Sequence, residues 1–208
     1  MSLTLNPQLS KRGKVISLIL FFVFTIAGIS KGMVSVFYLL YLFWCDELLK
    51  TIFDGVAFIS QRESIKDRTS FLSNLKGRFF LLMIYFVFII VVFGMIINFK
   101  TTELIQHNFG VFFFQNPWFN LSLLTFFFRE LNEALFKKEN EIYSHHAFSP
   151  GILTLHLSII LGFLLFAFTA WRNQSAFTEH NNLSTILAIV PFLLIKLFFD
   201  YRAIQNEA

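Results

Sequence analysis

The chain has 208 residues, of which 56% are hydrophobic and only 14% are charged, and its mean hydropathy is +0.65. A soluble domain of this length carries about 25% charged residues, so the composition excludes an ordinary soluble enzyme or binding domain. The net charge of +4 is distributed beside apolar segments and forms no clustered basic face, which excludes nucleic acid as a partner. We therefore expect one integral membrane domain, residues 1–208, surrounded by the lipid bilayer.

Six apolar segments have about the length of a membrane-spanning helix, which needs roughly 20 residues. They cover about residues 15–29, 33–59, 79–97, 109–128, 151–171 and 183–199. The segments do not alternate apolar and polar residues as the strands of a membrane barrel do, and lipid offers no partner to an unpaired backbone group. The sequence therefore predicts an all-α fold, a polytopic membrane helical bundle with about six transmembrane helices.

Basic residues are concentrated on one side of the predicted spans. Three precede the first span, five lie in the loop of residues 60–78, three lie between the fourth and fifth spans, and one follows the sixth. The opposite side carries Lys31, Lys100 and Arg172. The positive-inside rule therefore predicts that both termini are cytoplasmic, in a membrane of the bacterial inner-membrane type. The first span has a basic start and small residues at Ala27 and Gly28 but no clear A-x-A-like cleavage site, so we expect a retained helix and no cleaved signal peptide.

Two regions depart from a plain apolar helix. Residues 60–78 are polar and basic, and we interpret them as a solvated loop, with a short interfacial helix as the alternative because three apolar residues there have helical spacing. The fourth span contains four polar or helix-breaking residues, Gln115, Asn116, Pro117 and Asn120. A proline inside the span would kink the helix, and the amides would bond the freed backbone. A kinked packing helix is one interpretation, and a pore or substrate path is the other.

Ionisable residues gather toward the cytoplasmic ends of the predicted spans, where they are costly and usually functional or paired. The candidate cluster comprises Asp46, Glu47, Lys50, Asp54, Arg129, Glu130, Glu133, His156, Lys196 and Asp200. Asp46 and Lys196 lie at matching depths, each roughly 20 Å along a helix that runs inward. The sequence therefore predicts that Lys196 pairs with Asp46 or Glu47, and that Lys50 pairs with Asp200.

Three interpretations of this cluster are open. It is a structural ion-pair network, a polar cavity for a proton, ion or small solute, or a divalent-metal site for zinc or iron. The candidate metal ligands are Asp46, Glu47, Glu130, Glu133, His146 and His156. No HExxH or ExxH spacing occurs, so the sequence indicates no particular cofactor, and a divalent metal stays one of the three hypotheses.

Catalytic motifs are missing from the sequence. It contains neither a phosphate-binding Gly-rich loop nor a GxSxG elbow, so an enzymatic activity is unsupported. A membrane enzyme that uses His156 and nearby carboxylates stays an alternative. A non-catalytic subunit, which binds itself or another membrane protein, is a further hypothesis.

Three stretches carry a resemblance to a protein family. Residues 150–162 (PGILTLHLSIILG) have a proline, a histidine and then isoleucines and glycine, residues 196–200 (KLFFD) have Lys-x-x-x-Asp, and residues 41–47 (YLFWCDE) are aromatic and then acidic. In these features the chain resembles a family of uncharacterised prokaryotic multi-pass membrane proteins that is classed only as a domain of unknown function. The resemblance implies a six-helix membrane fold and no activity. It draws attention to Glu47, His156, Lys196 and Asp200.

Overall fold

The computed structural model describes residues 7–60, 65–99, 102–136, 148–172 and 182–206. These ranges are mostly helical and contain no strand, which confirms the predicted all-α class. Their α-helices are α1 (Pro7–Ser30), α2 (Val36–Ser60), α3 (Arg68–Phe88), α4 (Thr102–Phe112), α5 (Pro117–Phe136), α6 (Pro150–Arg172) and α7 (Asn182–Asn206). A π-helical stretch, Ile89–Ile96, continues α3.

Helix α2 is the centre of the bundle. Every residue from Phe37 to Glu47 is buried, so this half of α2 is covered on all faces, whereas a surface helix buries one stripe. Helices α3, α5, α6 and α7 pack against α2, and α1 packs along α5 and α7. Helices α5 and α7 run parallel to α2, while α3 and α6 run antiparallel to it, as the order of their contacts requires. The charged part of α2 is therefore surrounded by four other helices.

Three helices of the described ranges are long and apolar enough, by length and composition, to cross a membrane. They are Arg12–Ser30, Arg68–Ile96 and Pro150–Phe168. Their outer faces expose many Ile, Val, Leu and Phe side chains, while several charged side chains of the bundle are buried. Charged side chains of soluble proteins are almost never fully buried unless paired, and large exposed apolar faces mark contact with membranes or partners. This distribution supports a membrane-embedded protein.

Helix α3 begins earlier than predicted. Residues 68–78, which we interpreted as a solvated loop, form the first turns of α3, and the Asp67 carboxylate caps them by accepting the Ser70 backbone N–H at 3.0 Å. The loop interpretation was wrong here because the segment continues the buried face of the helix. Residues on that face recur at alternating spacings of seven and four, which keep them on one side of a helix. They are Phe71, Arg78, Leu82, Ile89 and Phe93.

The predicted fourth span, residues 109–128, is divided between α4 and α5. Ahead of the second helix, Phe114 adopts a positive φ of 58°. Pro117 is the first residue of α5, a position where its missing N–H breaks no helical hydrogen bond. The Asn116 Oδ1 atom caps the helix by accepting two backbone N–H groups of its first turn, at 3.0 and 3.1 Å. The proline therefore starts a helix and does not kink one.

Candidate functional site

Charged side chains of α2 and α3 meet others from α5 and α7 near the N-terminus of α6. We call this set the charge network, and its members are Asp46, Glu47, Lys50, Asp54, Arg78, Arg129, Glu130, Lys196 and Asp200. Asp46, Glu47, Arg78 and Lys196 are at most 1% exposed. Removing an ion from water costs several kcal/mol, which only close pairing and hydrogen bonding offset. The geometry of the pairs therefore decides whether this network is stable.

Asp46 is the acid at the centre of the network. Its Oδ2 atom accepts hydrogen bonds from Lys196 Nζ at 2.6 Å and from Lys50 Nζ at 3.3 Å. Its Oδ1 atom accepts a hydrogen bond from Arg129 Nη2. The three cations belong to α7, α2 and α5, so a single buried carboxylate connects three helices.

Two of these cations have a second acid and an aromatic neighbour. Lys196 Nζ lies 3.1 Å from Asp200 Oδ2, and Arg129 Nη2 lies 2.7 Å from Glu130 Oε1. The Phe126 ring centroid is 5.4 Å from Lys196 Nζ and 5.1 Å from the Arg129 guanidinium carbon. A cation at this distance from a ring face gains electrostatic energy, and more so away from water. The ring therefore offers the cations a favourable neighbour in place of solvent.

Glu47 connects the network to α3 and α6. Its Oε1 atom accepts from Lys50 Nζ at 2.5 Å, and its Oε2 atom accepts from Arg78 Nη2 at 3.0 Å and from Ser149 Oγ at 3.3 Å. A Cβ atom at Gly151 would overlap the Glu47 carboxylate, so only glycine leaves room for the acid here. The carboxylate thus lies at the N-terminus of α6, where the helix dipole favours negative charge.

Arg78 is the network member that the sequence analysis missed. Its Nε atom donates to Thr51 Oγ1 at 3.2 Å, and Thr51 in turn donates to the Glu47 carbonyl at 2.8 Å. The Nη1 atom of Arg78 is buried without a hydrogen-bond partner in the described ranges, and it lies 4.0 Å from Asp54 Oδ2. We had counted this arginine among the loop residues that orient the protein. The spacing of the buried face of α3 was the signal that places it inside.

One predicted pair is present and another is not. Lys196 contacts Asp46, as their matching depths predicted. The predicted pair of Lys50 with Asp200 is wrong, because each residue has a partner on its own helix. Lys50 lies one turn after Asp46 and Glu47, and Asp200 lies one turn after Lys196.

Two other predicted site residues lie outside the network. His156 is exposed on α6, and its Nδ1 atom lies 2.9 Å from Tyr85 Oη. Glu133 pairs with Lys14 at 3.1 Å and so connects α5 to α1. In the parts of the chain that the structure describes, no three His, Cys, Asp or Glu side chains converge on a point that would hold a metal ion. His146 lies outside those parts.

Comparison of the chain with protein-family models, curated proteins and solved structures gives no match. The function therefore has to be argued from the geometry of the site. Each acid of the charge network contacts at least one cation, and the aromatic ring of Phe126 covers Lys196 and Arg129. Such an arrangement holds helices together, because every charge already has a protein partner.

Proposed function

We propose that the protein is a six-pass protein of the bacterial inner membrane, with both termini cytoplasmic, in which the charge network is a structural core. The observation that carries this proposal is the fully buried Asp46 carboxylate, bonded by cations from α2, α5 and α7. Helices in lipid gain little from hydrophobic association, so packing and polar contacts determine which helices meet. The network supplies polar contacts of this kind at the central helix.

The same network supports counting α2, α5 and α7 as spans although they carry charges. Ionisable residues in spanning helices face the bundle interior and pair with one another, and those of the network do so. The most exposed side chains of the network include Lys50, Arg129 and Asp200, and even these are only 10–16% exposed. Because the basic loops flank this end of the bundle, we place the network in the cytoplasmic leaflet.

A protein whose buried charges are paired with one another leaves its surface as the place for interactions with other molecules. We therefore infer a non-catalytic membrane subunit that binds a second copy of itself or another membrane protein. The large exposed apolar faces of α1, α3 and α6 are compatible with lipid and with partner helices.

A second candidate function is a small-solute site beside Arg78, and one specific observation favours it. The buried Nη1 atom of Arg78 has no hydrogen-bond partner in the described ranges, and an unsatisfied buried donor is costly. A small anion or a water molecule that bonds to this nitrogen would remove that cost.

Cysteine labelling tests the proposed topology. In a Cys45→Ala background, Ser30→Cys places a thiol at the end of α1 and Ser70→Cys places one in the first turn of α3. Both serines are exposed. A membrane-impermeant maleimide should label the first thiol in intact cells and the second only in inverted vesicles. Labelling of both from the same side would contradict the six-pass topology.

Flux measurements separate the structural core from the solute site. Purified protein in liposomes should leave proton and chloride permeability at the level of protein-free liposomes. Arg78→Met should not change that result if the network is structural. A flux above the protein-free level that disappears in Arg78→Met would replace the structural proposal with the second candidate.

A further inference from the structure

A titratable pair lies outside the charge network, on the flank between α3 and α6. His156 Nδ1 and Tyr85 Oη are 2.9 Å apart, and the ring centroids are 5.8 Å apart. The histidine is exposed and the tyrosine is half-buried. Both helices belong to the candidate membrane spans, so this polar pair faces the surroundings of the bundle and not its core.

The neighbours of His156 on the same flank are apolar. Leu153, Leu157 and Ile160 of α6 and Ile84 of α3 are all exposed large hydrophobic side chains. His156 lies about 9 Å along α6 from Pro150, at 1.5 Å per residue. With the orientation proposed above, that depth falls within a hydrocarbon core of about 30 Å. A polar side chain facing lipid at this depth is a functional-site hypothesis in its own right.

The pair has hydrogen-bonding capacity left over. When the neutral ring accepts the tyrosine O–H at Nδ1, its Nε2–H remains a donor; in the other tautomer Nδ1–H donates, and the tyrosine O–H remains a donor. Either tautomer also leaves an acceptor, on the phenol oxygen or on Nε2. The described residues give Nε2 no partner. The flank therefore presents one donor and one acceptor to an otherwise apolar environment.

We propose that Tyr85 and His156 bind the uncharged polar head of an amphiphile dissolved in the membrane, with its hydrocarbon tail on the apolar residues around them. The head must carry a carbonyl or hydroxyl group, because the pair offers both a donor and an acceptor. The depth of the pair excludes charged phospholipid headgroups, which stay at the interface. Quinones and diacylglycerols share the required chemistry. This proposal rests on the proposed membrane orientation and is independent of what the charge network does.

Binding is tested with the full chain in phosphatidylcholine nanodiscs that contain increasing amounts of decylubiquinone or of dioleoylglycerol. The readouts are the ¹⁵N shifts of the His156 ring, which report hydrogen bonding at each nitrogen, and the saturation of bound probe. Binding of at least one of the two probes should saturate at one molecule per chain and should shift the ¹⁵N resonance of His156 Nε2. The arm that saturates identifies the ligand class.

Two conservative variants and a matched control complete the experiment. Tyr85→Phe and His156→Phe keep aromatic side chains but remove the hydrogen bonds, and each should weaken binding about five- to tenfold. Val23→Ala, on the exposed face of α1, should bind as the unmodified chain does. Circular dichroism and an unchanged unfolding midpoint establish that the variants are folded.

Three results would overturn the proposal. The first is that neither probe saturates. The second is that both phenylalanine variants bind the probe with an affinity within twofold of that of the unmodified chain. The third is that the chain forms a dimer that His156→Phe dissociates. The last result would make the pair part of a protein interface. Failure of cysteine labelling to support the topology is a separate outcome, since it is measured without any ligand.

Discussion

Neutralising Asp46 tests whether the charge network holds the bundle together. Asp46→Asn keeps the shape of the side chain and removes the charge that Lys50, Arg129 and Lys196 share. Breaking a buried ion pair by removing one partner costs about 3–5 kcal/mol. Each of the three cations retains another acid of the network, so we expect the lower end of that range, about 3 kcal/mol.

Lys196→Met gives the second arm of a double-mutant cycle. It leaves Asp46 with two cations but removes the hydrogen bond to Asp46, which is worth about 1.5–3 kcal/mol between charged groups, and also the ion pair with Asp200. The loss of the Asp200 pair is common to the single and the double variant and therefore does not enter the coupling. The double variant leaves neither charge behind, so its cost should fall short of the sum of the single costs by about 1–3 kcal/mol. The free energy of unfolding is measured by reversible denaturant titration in mixed micelles, followed by circular dichroism.

A matched pair elsewhere in the bundle serves as the control. Lys14 and Glu133 lie 3.1 Å apart with side chains 15% and 22% exposed, compared with 1% and 0% for Lys196 and Asp46. Solvent screens the control pair more strongly, so its coupling should be the smaller of the two. If the coupling of Asp46 with Lys196 is no larger than that of the control pair, the buried pair contributes nothing specific. That result would refute the structural-core reasoning.

Three further substitutions test the parts of the bundle that the network connects. Gly151→Ala should lower the unfolding midpoint strongly, because its Cβ would overlap the Glu47 carboxylate. At Gly55 an added Cβ would have no neighbour within 4 Å, so Gly55→Ala should raise the stability by about 0.5–1 kcal/mol. Equal effects of the two substitutions would contradict the packing around Gly151. Arg78→Lys should destabilise the protein less than Arg78→Met, for which about 3–5 kcal/mol is expected in the same titration, and equal losses would mean that charge is irrelevant. Asn116→Ala should cost about 1–2 kcal/mol, because it removes the cap and also the hydrogen bond that Asn116 Nδ2 donates to the Met33 carbonyl at 2.8 Å. Asn116→Asp keeps the cap and loses only the second bond, so it should recover part of that stability; equal losses would mean that the cap does not matter.

The helical class and the Asp46–Lys196 contact could be predicted from the sequence because both depend on counting along single helices. An apolar run of sufficient length without alternation predicts a helix in lipid. When two parallel spans carry opposite charges at the same number of residues from their starts, those charges lie at the same depth in the membrane. Neither inference needs knowledge of which helix faces which.

The role of Arg78 and the division at Asn116 depended on tertiary partners. A basic residue beside an apolar run is normally taken as an orienting charge, and only the presence of Glu47 and Thr51 at its level gives it a buried position. The alternating spacing of buried residues on α3 was available in the sequence. At Pro117 the sequence fits both a kink and a helix start, and the two backbone N–H groups that Asn116 caps favour the start.

The position of the network on α2 explains what charge adds to an apolar bundle. The half of α2 from Phe37 to Trp44 is surrounded mainly by aromatic and aliphatic side chains. Sliding a neighbouring helix by one turn, about 5.4 Å, would exchange these apolar contacts and break hydrogen bonds such as that from Trp44 Nε1 to the Leu82 carbonyl. A slide of that size would separate Asp46 from Lys196, which now lie 2.6 Å apart, and leave both charges buried. Since uncompensated buried charges are far more costly than altered apolar contacts, the network penalises a shifted register more strongly than the apolar half of α2 does.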